Sequence, residues 1–156
     1  MNINTQKGLC GPSAIWRLEG NTLIITGSGA VEADHYFSEN DELIERSFFA
    51  NLKDIQTIKI YDDIRSLEEF SFVNLKTVKE LYLPSSLRRI GYHCFSGCIL
   101  LEAIHRADPN SIKNIGIGAF ANTKIQTSDL LSKYVSLFDA KLSFYYLDEP
   151  GVYPFN

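Results

Sequence analysis

No run of lysine or arginine longer than the pair Arg88-Arg89 occurs in the 156 residues, and the net charge is −4. A nucleic-acid backbone is met by a clustered positive face that neutralises its phosphates, so this absence argues against a nucleic-acid partner. Binding to an anionic membrane surface loses the same support. Long apolar runs are missing as well. Stretches such as Leu23 to Ile25 and Ile99 to Leu101 fall far short of the roughly 20 residues that cross a bilayer, and no membrane insertion is expected. Cysteine is limited to positions 10, 94 and 98, an odd count that makes no disulfide framework of the kind that staples small secreted domains. The opening segment, MNINTQKGLCG, holds one Lys and no apolar stretch of signal-peptide length. Read as written it carries no export signal, which leaves a cytosolic protein or one whose signal was removed before a start Met was added.

Sites for phosphate, metal ions or nucleophilic chemistry are equally incomplete. A phosphate loop needs Gly-Lys, which does not occur. The stretch GSGA, Gly27 to Ala30, has Glu32 where a dinucleotide fingerprint wants its third Gly and lacks the strand-helix-strand unit, so Gly27 and Gly29 read as turn residues. Asp34, and Asp62 with Asp63, lack the alternating ligand spacing of a calcium loop and read as solvated loop residues. No Ser, Cys or Thr shows a local signature with His.

What the chain does have is an ordinary core, with 45% hydrophobic and 22% charged residues, and a period. Phe49, Phe72, Phe95 and Phe120 are offset by 23, 23 and 25 residues. Three positions after each stand Leu52, Leu75, Cys98 and Thr123. Six after come Ile55, Val78 and Leu101; nine after come Ile58, Leu81 and Ile104. Eight before the last three Phe residues are Ile64, Leu87 and Ile112, followed by Leu67, Ile90 and Ile115. Two positions after each Phe stand Asn51, Asn74, Gly97 and Asn122, types that tolerate left-handed dihedrals at the end of a helical turn. Each unit therefore reads as a helical turn carrying the Phe, a reversal, and two extended stretches such as "VKELYLP" and "SLRRIG". A unit this small cannot bury its own apolar side, so neighbours must stack around one core.

The same columns interpret the reactive cluster His93, Cys94 and Cys98. Cys98 fills the slot of Leu52, Leu75 and Thr123, and Cys94 stands where other units have Phe48, Ser71 and Ala119; both read as small core residues. His93 shares a column with Ser47, Phe70 and Gly118 that asks for no particular chemistry. A zinc site from Cys94, Cys98, His93 and His105 has suitable ligand types, yet four-residue Cys spacing without a second pair does not specify one. No cofactor is expected.

Toward the ends the pattern changes. "AIWRL" and "TLIIT" flank Gly20-Asn21 and predict a hairpin whose Trp16 and Ile25 pack on the first repeat. Leu43, Ile44, Ser47 and Phe48 have helical spacing, which predicts a short amphipathic helix over residues 40 to 50. Ser128 is a candidate N-cap for a helix carrying Leu130, Leu131, Tyr134, Val135 and Phe138. "KLSFYYL" follows as a β-rich run, then the turn signal "DEPG" and the aromatic tail "VYPFN", read as a lid over the last repeat or as a docking segment for a second molecule.

"KGLCGPSAIWRLEGNTLIITGSGAV", followed by "LYLPSSLRRIGYHCFSGC" and "SIKNIGIGAFANT", resembles the BspA-type leucine-rich repeat proteins of bacterial and protozoan surfaces. Pro84, Ile90, Gly91, Phe95 and Cys98 fill that family's motif positions, as do Ile115, Gly116, Ala119 and Phe120; Glu68 departs from it where the family has Gly. The resemblance covers residues 8 to 125. It implies an α+β repeat solenoid of short strands and helical turns with an N-terminal β-hairpin cap and a C-terminal helix and strand cap. One domain over 1–156 is expected, divided into a cap over 8–39, repeats over 40–125 and a second cap over 126–156. The resemblance further implies a non-enzymatic module that binds a protein, at a cell surface or secreted, with adhesion as the leading role. An intracellular binding or regulatory protein is the alternative, and a zinc- or thiol-dependent enzyme is the alternative of another class.

Strand residues between the inward aliphatics face outward. The register therefore sets Lys59, Tyr82 and His105 in one outer column, flanked by Thr57, Glu80 and Ala103 on one side and by Tyr61, Pro84 and Ala107 on the other. Lys59, Tyr82, His105, Tyr61 and Glu80 are the candidate partner-binding residues, because aromatic and basic side chains anchor protein interfaces.

Overall fold

The computed structural model describes residues 6–146. Among them are twelve short strands: β1 (Lys7–Leu9), β2 (Ala14–Glu19), β3 (Thr22–Gly27), β4 (Gly29–Val31), β5 (Asp34–Phe37), β6 (Leu43–Arg46), β7 (Thr57–Ile60), β8 (Ile64–Leu67), β9 (Glu80–Leu83), β10 (Arg89–Ile90), β11 (Ala103–Arg106) and β12 (Asn114–Ile115). A six-stranded sheet runs in the order β1-β2-β3-β7-β9-β11, and a four-stranded sheet in the order β12-β10-β8-β4. Each repeat gives one strand to each sheet. Ile58 pairs with Leu81 and Lys59 with Tyr82, all in parallel register, and Leu81 pairs in turn with Ile104. The aliphatics of the repeat point inward, so Ile58, Ile64, Leu67, Leu81, Leu87 and Ile90 are all fully buried between the sheets.

The four Phe rings form the spine of this core. All are fully buried, and successive ring centroids lie 5.2, 5.1 and 5.3 Å apart with planes within 22° of parallel. Such aromatic pairs add about 0.5–1.5 kcal/mol each beyond the area they bury.

The turns that carry the rings are not helical, contrary to expectation. Phe70, Phe72 and Asn74 donate their N–H groups to the carbonyls of Tyr92, Cys94 and Ser96 in the next repeat, while Ser71 and Val73 donate to Glu68 and Phe70, three residues back. His93, Phe95 and Gly97 repeat this alternation toward Ile117, Ala119 and Ala121. Positive φ at every fourth residue makes the alternation: Phe70 (59°) and Asn74 (60°), His93 (50°) and Gly97 (78°), Gly118 (70°) and Asn122 (56°). The column of His93 thus has a backbone requirement that its mixed side chains conceal. Phe49 departs from the rule, because Asn51 is not left-handed and Asp54 (φ 61°) is. There the Ser47 hydroxyl bridges the repeats instead, donating to the Ser71 carbonyl at 2.7 Å and accepting from the Phe49 N–H.

Backbone also fixes the glycine column. A Cβ on Gly116 would lie 2.4 Å from the Tyr92 nitrogen, and one on Gly91 2.8 Å from the Glu69 nitrogen, so stacked repeats leave no room for a side chain there. Glu68 occupies the same column beside an open depression lined by Glu32, Ala33, His35 and Glu69, which is why the departure from Gly is accommodated.

At the N-terminal end, β2 and β3 form the expected hairpin through Gly20 (φ 59°), and β3 then pairs in parallel with β7. Trp16 meets Phe49 edge-on at 5.9 Å, and Ile25 is fully buried. The helix expected over residues 40 to 50 is absent. Leu43–Arg46 is β6 instead, antiparallel to β5 from Asp34↔Arg46 to Phe37↔Leu43, with Arg46 3.5 Å from Asp34. A tight turn closes this hairpin: the Ser38 hydroxyl accepts from the Asn40 and Glu42 N–H groups, and Asp41 is left-handed. Leu43 and Phe48, taken as part of an apolar helix face, are exposed.

The C-terminal helix starts later than expected. Thr127–Asp129 form a single 3₁₀ turn, and α1 spans Leu137–Leu142, capped by Ser136, whose hydroxyl accepts from the Asp139 N–H at 3.1 Å. Between them Ser132 donates to the Ile112 carbonyl and accepts from the Tyr134 and Val135 N–H groups. That use copies Ser86, which donates to the Ile64 carbonyl, and it holds the segment to the repeat register rather than to a helix. The β-rich reading of "KLSFYYL" fails too: Lys141 and Leu142 finish α1, and 143–146 are turn and irregular chain. "DEPG" and "VYPFN" lie outside the described residues. Gly118 and Phe120 donate to the carbonyls of Leu142 and Ser143, so α1 and the turn after it receive the bonds that another repeat would receive.

Candidate functional site

The outer face of the six-stranded sheet gathers four of the five expected residues. Register places Lys59, Tyr82 and His105 directly opposite one another on β7, β9 and β11. Tyr82 and His105 stack with centroids 4.3 Å apart, and the Lys59 ammonium lies 5.5 Å from the Tyr82 ring centre. Glu80, two residues before Tyr82 and therefore on the same face, ties the column together. Its Oε2 accepts from the Tyr82 hydroxyl at 3.2 Å and stands 3.8 Å from His105 Nε2. The Tyr82 phenol is raised above its ordinary pKa, first by partial desolvation and then by the Glu80 charge and hydrogen bond. Tyr61 stands to one side and is exposed. It joins Tyr82 and His105 along an open depression of about 360 Å³ whose other walls include Asp62, Ser85 and Arg106.

These last three residues were not among the candidates. Asp62 and Ser85 come from the loops that follow β7 and β9, and Ser85 donates to Asp62 at 3.3 Å. A parallel register continues past strand ends, so the signal was present in the repeat offset of 23 residues between Asp62 and Ser85. Ile24, opposite Lys59 on β3, belongs to the same outer row but is buried, which ends the exposed column at Lys59.

The cluster of His93, Cys94 and Cys98 lies on the other side of the core. Cys94 and Cys98 are fully buried. The Cys94 thiol shares a hydrogen with the Ser71 hydroxyl at 3.2 Å, and Cys98 donates to the Phe72 carbonyl at 3.1 Å. Burial pushes both thiols up to about 12. A thiol so placed stays protonated at neutral pH, the opposite of what a nucleophile or metal ligand needs. His93 stacks on Phe70 at 5.6 Å with rings 4° from parallel, while His105 lies on the exposed sheet face. Among the described residues no group of three or more His, Cys, Asp or Glu is placed to hold a metal ion.

Comparison with known proteins agrees with this architecture. A family model described as the BspA type leucine-rich repeat region matches six copies over residues 34–146. A leucine-rich repeat protein from Eubacterium ventriosum superposes with a TM-score of 0.64 at 16% identity, over 78% of this chain and 30% of that one. The chain therefore spans less than a third of the length of that protein. Weaker similarities, at TM-scores of 0.36 and 0.28, are to the pneumococcal vaccine antigen PcpA (15% identity, 74% of this chain and 42% of that) and to a leucine rich cell surface protein of Faecalibacterium prausnitzii (13% identity, 75% and 54%). No curated protein matches the sequence.

Proposed function

The chain belongs to the BspA-type leucine-rich repeat family, and from that premise we propose that it is a non-enzymatic protein-binding module, displayed at a cell surface or secreted for adhesion. In this reading the repeats form a short solenoid within a single domain. The hairpin of β2 and β3 closes one end of the core, and the segment around α1 closes the other. A partner protein docks on the outer face of the six-stranded sheet.

One observation carries the choice of face: the mutually braced array of half-buried Lys59 with exposed Tyr82 and His105, beside the depression that reaches Tyr61. Rings held at fixed spacing by their strands lose little conformational freedom on binding, which is how Tyr anchors contribute at interfaces. The buried, protonated thiols support a module without covalent chemistry.

The test is a binding panel of host and neighbouring-cell surface proteins, read with the native chain and with a Lys59→Ala/Tyr82→Ala/His105→Ala variant of unchanged thermal stability. Loss of about 2 kcal/mol or more of binding energy, some 30-fold in affinity, is expected where the three anchors are used. A partner held equally well by both proteins would move the site elsewhere.

A further inference from the structure

The second sheet carries a feature that no part of the proposed sheet-face site uses. Arg65, Arg88 and Lys113 each follow the buried aliphatic that precedes a strand position in their repeat, namely Ile64, Leu87 and Ile112. The stack places them side by side: the Arg88 N–H donates to the Arg65 carbonyl and the Lys113 N–H to the Arg88 carbonyl, both at 2.8 Å. All three side chains are exposed. Among the described residues none of the three lies within ion-pairing distance of a carboxylate; Glu68 is engaged by Arg89. Like charges set directly opposite on neighbouring strands, about 4.8 Å apart, repel one another and weaken the sheet. Three such cations in a row, none paired with a carboxylate, form the densest positive feature that the register assembles in a chain of net charge −4. Carbonyl bonds from Arg88 and the Tyr134 ring beside Lys113 offset part of the repulsion.

We propose that this basic row is a second docking surface, and that its occupant is a short acidic segment of a partner protein in extended conformation. Charge complementarity selects an anion, and length selects among anions. The row spans roughly 10 Å, and carboxylates on one face of an extended peptide recur about every 6.8 Å, so spans of about 7 Å for two acidic residues and about 14 Å for three bracket the row, and flexible side chains close the difference. Arg65 offers a planar fork suited to carboxylates, and Arg88, whose Nη1 donates to the Ser85 and Leu87 carbonyls, adds its remaining donors. At the last step of the row Lys113 lies 5.2 Å from the centre of the Tyr134 ring, where a polar depression of about 290 Å³ is lined by Arg88, Asn110, Ser111, Lys113 and Tyr134. Longer polyanions are disfavoured because Asp62 and Asp63 precede Arg65 and Asp108 borders that depression, so a chain of charges running past the row meets like charge.

Two labelled peptides test the inference, one with three glutamates on alternate positions and its Gln counterpart, titrated against the whole chain by fluorescence anisotropy at low salt. The acidic peptide should bind and the Gln peptide should not. Raising the ionic strength from about 20 to 200 mM should weaken binding about tenfold, since exposed charges are screened. Arg65→Ser/Arg88→Ser/Lys113→Ser should weaken it by about tenfold or more, whereas Lys79→Ala, just before β9 of the other sheet, should leave it unchanged. Circular dichroism shows whether the triple variant is folded; if it is not, the single Lys113→Ser variant replaces it, with a two- to fivefold loss expected. Equal binding of both peptides, binding untouched by the variants, or binding of heparin in place of the acidic peptide would each overturn the proposal.

Discussion

Phe72 and Phe95 stack at 5.1 Å in the interior, while Tyr82 and His105, ten residues further along the same two repeats, stack at 4.3 Å on the outside. One backbone register produces both columns. Inside, the volume between two sheets accepts one ring per repeat, and the chain supplies Phe four times. Outside, nothing closes over the column, and the chain supplies Lys59, Tyr82 and His105. The contrast separates two kinds of information in a repeat protein. Positions that recur are answerable to packing, and positions that vary within the same register are free to answer to a partner.

The largest effect that tests this contrast is truncation of the inner ring. Phe95→Ala should cost about 3–5 kcal/mol of stability, the range for a fully buried aromatic that leaves a cavity, whereas Tyr82→Ala should cost less than about 1 kcal/mol. Urea unfolding of the two variants measures both. Similar losses for the two would mean that the outer column is structural and that its variation carries no functional signal.

Alkaline pH should reveal the interior next. The thiols of Cys94 and Cys98 are raised by burial from 9.0 to about 12, so between these values the folded chain holds protons that the unfolded chain has released. Stability contributed by the protonated thiols is complete below about pH 9 and is lost as pH rises toward 12. The slope is about 1.4 kcal/mol per pH unit for each thiol. Cys94→Ala should flatten the alkaline limb of the stability curve by one thiol's share, while Tyr82 and His105 substitutions leave the share of Cys94 in place. An alkaline limb unchanged by Cys94→Ala would mean that this thiol is accessible in the folded chain.

Much of this was legible in the residues, and the failures have identifiable causes. The inner columns of Ile58, Leu81 and Ile64, Leu87 could be read because a buried position repeats both its side-chain type and its offset. Lys59, Tyr82 and His105 followed from the same register, since alternation along a strand puts the residue between two inward aliphatics outside. The helices expected at 40 to 50 and from Ser128 were drawn from three apolar residues with a serine and from five apolar residues, too few to distinguish a helix from a turn. Hydrogen bonds decided both segments: the local Ser38 turn made a hairpin of one, and the tertiary bond from Ser132 to Ile112 held the other to the stack. Alternating positive φ around Phe72, Phe95 and Phe120 was hidden because Phe70, His93 and Gly118 share a backbone conformation and no side-chain chemistry. The row of Arg65, Arg88 and Lys113 was overlooked for a different reason. Its members are 23 and 25 residues apart in sequence, so a search for contiguous charge passes over what the register brings together.

Glu68 offers the smallest and most local test, because it sits where packing and partner demands meet. It occupies the glycine column of Gly91 and Gly116, yet its carboxylate faces outward to Arg89 and the Ser66 hydroxyl. Both partners of the ion pair are more than a third exposed, and pairs of that kind contribute about 0–1 kcal/mol and are screened by salt. A double-mutant cycle of Glu68→Gln and Arg89→Met, followed by thermal unfolding, should give a coupling below about 1 kcal/mol that disappears near 1 M salt. Glu68→Gln should at the same time release Arg89 next to the row of Arg65, Arg88 and Lys113 and tighten the acidic peptide by about two- to fivefold. Stability and peptide affinity thus move in opposite directions from one substitution. A coupling of several kcal/mol, or an affinity that falls with Glu68→Gln, would place Glu68 with the packing positions despite its exposure.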